Sequence, residues 1–335
     1  MRLLPALGLF LLAPLVAEFL LGNLPITALS SLVLLAPLYG GGALLIREVA
    51  RRTGRGWPTI LLLGLAYGIV EEGVTTQSLF DPDYAGQRLL DHGFVPGLGI
   101  GVPWTLFVLT LHTVWSIATP IALVETLARR PGPWLRTPGL VVTAVLFVIG
   151  LVGTTVTTLQ TDHFVAPAGR LVGAVAVAVL VAAAAFVLPG RFGAATLRAP
   201  HPLVLLGVSL AAGAVFELLP LSWWGVPVWV VLAAAAVVLL PRWARDPEWS
   251  QAHVLALAAG ATLTYAWHAF GETPVLPASP AADLVGNGVF AAGAVALLIA
   301  AAIRVGDPLH RFETKSSIQE HTGPQQKRLR WRAER

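Results

Sequence analysis

Residues 58–80, PTILLLGLAYGIVEEGVTTQSLF, begin as a helix soluble in lipid and end in two adjacent glutamates followed by hydroxyl side chains. An apolar run of roughly 20 residues is what a helix needs to cross the ~30 Å hydrocarbon core of a bilayer. Working outward, comparable runs fall near 3–22, 27–46, 102–127, 138–159, 171–189, 203–222, 226–240, 252–271 and 284–303. The expected fold is all-α: a polytopic transmembrane helical bundle of about ten spans over 1–303, followed by a basic, disordered tail over 304–335. The run at 226–240 is short, so the seventh and eighth spans could also form one re-entrant hairpin.

Composition agrees with lipid as the main solvent. Of 335 residues, 56% are hydrophobic and only 12% charged, about half the charged share of a soluble domain, and the mean hydropathy is +0.74. The net charge of +4 resides entirely in residues 304–335, which hold eight Lys/Arg and four Asp/Glu. Within that tail, KRLRWR places Lys327, Arg328, Arg330 and Arg332 together, a patch suited to the anionic inner leaflet and too short to suggest nucleic-acid binding. The absence of cysteine excludes thiolate metal sites, disulfides and cysteine nucleophiles.

Arginine and lysine give an orientation, because positive charge is retained on the cytoplasmic side. With the N-terminus inside, 20 of the 22 basic residues fall in cytoplasmic segments, and only Arg88 and Arg170 fall outside. Trp57, Trp134 and Trp243 sit near the inner boundary, and Trp104, Trp223, Trp224 and Trp267 near the outer one, as interfacial aromatics do. The expectation is N-in and C-in, in a bacterial-type cytoplasmic membrane. The first run reads as a retained span, since Leu15 stands where a signal-peptide cleavage site calls for a small residue.

Charge within the spans points to the chemistry. Ionisable groups in a membrane helix are costly and ask for a function or a partner. Glu18, Glu71, Glu72, His112, Glu217 and His268 come from five helices and fall in the central to outer part of the bilayer. Gly64, Gly68, Glu71 and Thr75 share one helical face, with Glu72 at its margin. Thr105, His112, Ser116 and Thr119 form a polar stripe on the fourth span, so His112 could meet the glutamate pair across a helix interface and the two could activate water. The alternative is structural glue, in which acids, imidazole and hydroxyls only satisfy one another. Glu18, Ser116, Glu217 and His268 are further candidates for binding roles. A metal-dependent version would recruit Glu71, Glu72, His112 and His268, but no HExxH motif occurs to support it, so no metal ligand is assigned and no cofactor is identified.

Two larger patterns complete the reading. Glu18 and Glu217 lie 199 residues apart and Tyr67 and Tyr265 lie 198 apart, which raises a parallel duplication of spans one to three and seven to nine. The outer loop 81–101, DPDYAGQRLLDHGFVPGLGIG, leaves room for a short helix around Gln87–His92 between Pro and Gly punctuation.

A paired glutamate in a membrane helix, followed some forty residues later by a mid-helix histidine, resembles the CAAX protease and bacteriocin-processing (CPBP) intramembrane proteases, whose motifs read EExxxR, FxxxH and HxxxN. Glu71-Glu72 match the first pair, with Thr76 in place of Arg, and His112 matches the second motif, with Val108 in place of Phe. HxxxN is absent, and the resemblance covers about residues 58–120. It implies a Glu/His catalyst with Glu71 or Glu72 as base. Two other activities stay open: a proton- or cation-coupled secondary transporter using the intramembrane acids, and a non-catalytic membrane scaffold.

Overall fold

The computed structural model describes residues 3–187 and 196–306. Among them run ten helices: α1 Leu4–Leu20, α2 Ile26–Arg52, α3 Trp57–Thr75, α4 Val102–Ala128, α5 Thr137–Thr161, α6 Ala168–Val187, α7 Pro202–Leu218, α8 Gly225–Trp243, α9 Gln251–His268 and α10 Pro280–Gly306. Each falls on one of the ten expected runs, and the protein is a helical membrane bundle. The seventh and eighth spans are separate helices, and α8 has a full 19 residues. Several helices open with proline in the first turn (Pro58, Pro103, Pro138, Pro202), where the missing N–H has no intrahelical acceptor to lose.

Seven of the ten helices are long and apolar enough to cross a membrane by length and composition. α1 and α7 are shorter, and α9 is diluted by Gln251, His253, Thr262, Thr264 and His268. Polar residues are tolerated in α9 because protein, rather than lipid, surrounds it: it packs on α7, α10 and the second half of α4. Gly260 makes the approach to α7 possible, since a Cβ there would fall 2.5 Å from the Ser209 Cβ. Burial divides the helices into two sets. In α3 and α4 the apolar windows are 61% and 67% buried, against 11% in α5, α8 and α10. On α5, Val141, Val145, Val148, Val152 and Val156 form an exposed stripe at helical spacing, as expected of a helix that faces lipid.

At one end of the bundle the structure departs from the expected loop 47–57. Helix α2 continues to Arg52, and Arg47 and Glu48 are fully buried. The Arg47 guanidinium lies 2.8 Å from Glu48 and 2.9 Å from Glu125 and donates to the carbonyls of Arg130 and Gly132 at 3.0 Å each. It also sits 3.3 Å from the centre of the Trp134 ring. Glu48 accepts the backbone N–H groups of Trp134 and Leu135 at 2.8 and 3.2 Å, and Arg51 forms a two-pronged bond to Glu125. A buried charge is tolerated when it is paired and hydrogen-bonded. This network welds the α4–α5 connection to α2.

The opposite end carries loop 76–101. It has no helix at Gln87–His92. A short 3-10 turn at Tyr84–Gly86 is followed by an antiparallel pair, Phe94–Val95 with Ile100–Gly101. Between the extended Gln87 and Gly93 the backbone makes only isolated turn bonds, Leu89 N–H to Gln87 and Asp91 N–H to Arg88, with no helical ladder. Lys327, Arg328, Arg330 and Arg332 lie outside the described residues, as do Arg2 and Arg191.

Candidate functional site

Four helical stretches adopt π geometry among the described residues: Leu15–Leu20, Ala36–Gly40, Glu71–Thr75 and His112–Ala118. They carry Glu18, Tyr39, the Glu71–Glu72 pair and His112, respectively. Proline accounts for the break in three of them, because it removes a backbone donor from the α ladder: Pro14 precedes the first, Pro37 lies within the second and Pro120 follows the last. A π turn spreads its residues differently from an α turn, and such turns recur at functional sites. Here the consequence is direct. Glu72 does not lie at the margin of the Glu71 face; both carboxyl groups reach the same histidine.

The His112 Nε2 atom lies 2.6 Å from an oxygen of Glu71 and 2.6 Å from an oxygen of Glu72. All three side chains are buried, at 2%, 5% and 2% exposure for Glu71, Glu72 and His112. The helices come this close because Gly68 faces the histidine: a Cβ on Gly68 would stand 3.0 Å from His112 Cβ. Ser116 Oγ, one turn along, is 3.2 Å from His112 Nδ1, so the hydroxyl fixes the ring while Nε2 faces the acids. The ring is held between two tyrosines, stacked on Tyr39 at 5.9 Å and met edge-on by Tyr67 at 6.0 Å.

The two glutamates differ in how well they are supported. Glu72 meets His112 through one oxygen, and its other oxygen accepts from Thr76 at 3.2 Å and from the Ser78 hydroxyl. Ser78 in turn receives the indole N–H of Trp104 at 3.2 Å. Glu71 has little comparable support. Tyr39 OH lies 3.5 Å from it but 2.5 Å from Glu18, and a phenol has one proton to donate, so that proton belongs to Glu18. Although Glu71 Oε2 is within ion-pair distance of Nε2, it makes no hydrogen bond and is fully enclosed. Geometrically, the single Nε2 proton serves Glu72.

Glu18 therefore joins the cluster through Tyr39, with Asn23 Nδ2 donating to its second oxygen at 2.5 Å. Glu217 and His268 do not join it. His268 Nε2 lies 3.5 Å from Glu217 and 2.6 Å from Glu272, forming a separate group at the end of α9. The two halves of the suggested duplication thus place their acids differently: α1 ends in a π turn at Glu18, while α7 is regular through Glu217. Tyr39, Ser78 and Tyr67 were not among the sequence candidates for this site. Pro37, two residues before Tyr39 in a membrane helix, was the available signal for the first.

The profile of one protein family matches residues 7–311, nearly the whole helical bundle. The chain belongs to that uncharacterized membrane protein family. All of the cluster lies within the part that the family shares. No match was found among curated proteins or among solved structures.

Proposed function

We propose that the protein is a membrane-embedded hydrolase of the cytoplasmic membrane that cleaves a peptide bond in a membrane-resident substrate. The arginine-rich end and both termini would face the cytoplasm, with the cluster in the outer half of the bilayer. The observation that carries the reading is the placement of His112 Nε2 at 2.6 Å from both Glu71 and Glu72 inside an apolar bundle. Glu72, fixed by Thr76 and Ser78, orients the imidazole. Glu71 has an oxygen free to act as base.

In the proposed step Glu71 takes a proton from water as the water oxygen bonds to the substrate carbonyl carbon. The His112 Nε2–H, bonded to Glu72 at rest, shifts to the oxyanion that forms. The C–N bond then breaks, and the proton on Glu71 passes to the departing nitrogen. Thr76, at the position of the arginine in the CPBP motif, holds Glu72 at 3.2 Å. The test compares membrane-protein N-termini in cells that make wild type, Glu72→Gln or His112→Ala at equal folded levels. Uncut substrate accumulating in both variants is the expected result, and identical N-terminal profiles would sink the proposal.

A carrier reading draws on a different observation: Glu217 has a buried oxygen without a partner. It requires proton- or sodium-coupled flux in liposomes that Glu217→Gln and Glu18→Gln abolish.

A further inference from the structure

We propose that Glu71, Glu72 and His112 bind a divalent transition-metal ion of borderline hardness, in the class of Zn²⁺, Fe²⁺ and Mn²⁺, through one imidazole nitrogen and one oxygen from each carboxylate. This rests on the hydrolase reading and deepens it. The cation takes over the electrophilic role given above to His112, and the water becomes its further ligand, with Glu71 keeping one oxygen for the water's proton.

Three observations converge. The three donor atoms lie within 4.8 Å of one another. Metal bonds of about 2.0–2.2 Å to nitrogen and oxygen put neighbouring donors roughly 3–3.5 Å apart, so the 2.6 Å contacts need open by less than about 1 Å. The second observation is the fully enclosed Glu71 Oε2, which points at Nε2 without hydrogen-bonding it. One N–H cannot satisfy two carboxylates, whereas a cation between the three atoms satisfies all of them. The third is the support around the donors. Ser116 sits at Nδ1 and leaves Nε2 to bind, while Ser78, Thr76 and Trp104 brace Glu72. Metal sites hold their ligands in this way.

The donor set selects the ion. Calcium takes about six to eight oxygens, and magnesium is usually held by carboxylates and water alone, so a buried imidazole suits neither. Soft ions favour sulfur, and the chain has no cysteine. A second histidine–carboxylate group, Glu217–His268–Glu272, lacks the same enclosure, because Glu272 is 40% exposed.

The experiment uses the full chain purified in detergent without chelators. Metal content is measured by mass spectrometry, and Co²⁺ is titrated into the metal-free protein while its visible absorption is followed. Wild type is expected to bind one equivalent, displaceable by Zn²⁺. Glu71→Gln and His112→Ala should each weaken binding at least tenfold, while Asp91→Asn, at an exposed carboxylate paired with Arg88, should bind like wild type. Absence of a saturable Co²⁺ band in wild type overturns the proposal without recourse to any variant, as does equal binding by the Glu71→Gln/His112→Ala double variant. Peptide cleavage by metal-free protein removes the cation and leaves the hydrolase. Stoichiometric binding with unchanged N-terminal profiles in His112→Ala cells removes the hydrolase and leaves the cation. Passage of the ion into liposomes makes it cargo and overturns its role as a resident.

Discussion

Two groups of buried charge, one at each end of the bundle, are built on opposite principles. Around Arg47 the guanidinium, two carboxylates and several backbone groups engage one another from many sides, and the Arg47 Nε, without a hydrogen bond, still lies 2.9 Å from Glu125. Around His112 two carboxylates share one imidazole nitrogen, and a buried oxygen is left without a hydrogen bond. The contrast separates opposite charges shared among many partners, which hold a fold together, from two like charges competing for one donor, an arrangement that costs stability and suits a site kept ready for something else.

Removing a partner should hurt the first group most. Arg47→Ala leaves the buried Glu48 with only the longer 3.5 Å contact to Arg52 as an ion pair and removes the guanidinium from Trp134. A loss of about 3–5 kcal/mol is expected, read as a large drop in the apparent unfolding midpoint in detergent. Equal stability of Arg47→Ala and wild type would erase the distinction between the two ends.

A smaller loss is expected where the two principles meet. Tyr39→Phe deletes the 2.5 Å bond to Glu18 but leaves Asn23 on that carboxylate. The cost should be about 1.5–3 kcal/mol, and the stacked ring over His112 should stay in place. Comparison of unfolding midpoints for Tyr39→Phe and Arg47→Ala gives the ranking directly.

The sharpest contrast is one of sign. Glu71→Gln removes a poorly supported buried carboxylate, so stability should change by less than about 1 kcal/mol or rise, while activity is lost. A loss as large as that of Arg47→Ala would show that Glu71 belongs to the structural class.

The smallest effect lies outside both groups, in the connection between α8 and α9. The backbone N–H groups of Glu248 and Ala199, bonded at 3.0 and 2.5 Å, hold the Asp246 carboxyl below its usual range. Because its folded pKa is depressed, its contribution is present above the ordinary aspartate value of about 3.9 and fades as pH falls through the lower folded value. Asp246→Asn should therefore flatten the stability profile below about pH 4 and remove a constant amount above it. A profile still sloping as steeply as wild type would assign the acid dependence elsewhere.

The ten helices were readable because lipid imposes a length and a polarity on each of them. The meeting of Glu71 and Glu72 with His112 was also within reach, since Gly64 and Gly68 on one helix and a polar stripe on the next mark facing surfaces. The rest was not. Arg47 and Glu48 read as a charged helix exit, because their partners Glu125 and Trp134 are distant in sequence. Pro37 hints at Tyr39 but not at its partners Glu18 and His112, and the meeting of both glutamates at one histidine depends on a helical turn that periodicity assumes away. The span expected to reach residue 80 ends at Thr75, ahead of the expected loop 81–101, because Gln77 adopts a left-handed conformation, φ 61°, and its side chain accepts the N–H of Ala166 from another connection.

The π turns bear on how the family should be compared. Each holds one residue more than a regular helix of the same length requires, so a relative that had lost the cluster could repair its helices by dropping single residues near 18, 39, 71 and 112. Such losses would register in an alignment as isolated one-position gaps inside membrane spans, where gaps are otherwise disfavoured. Within this family, insertions and deletions would then trace the history of the site more faithfully than substitutions.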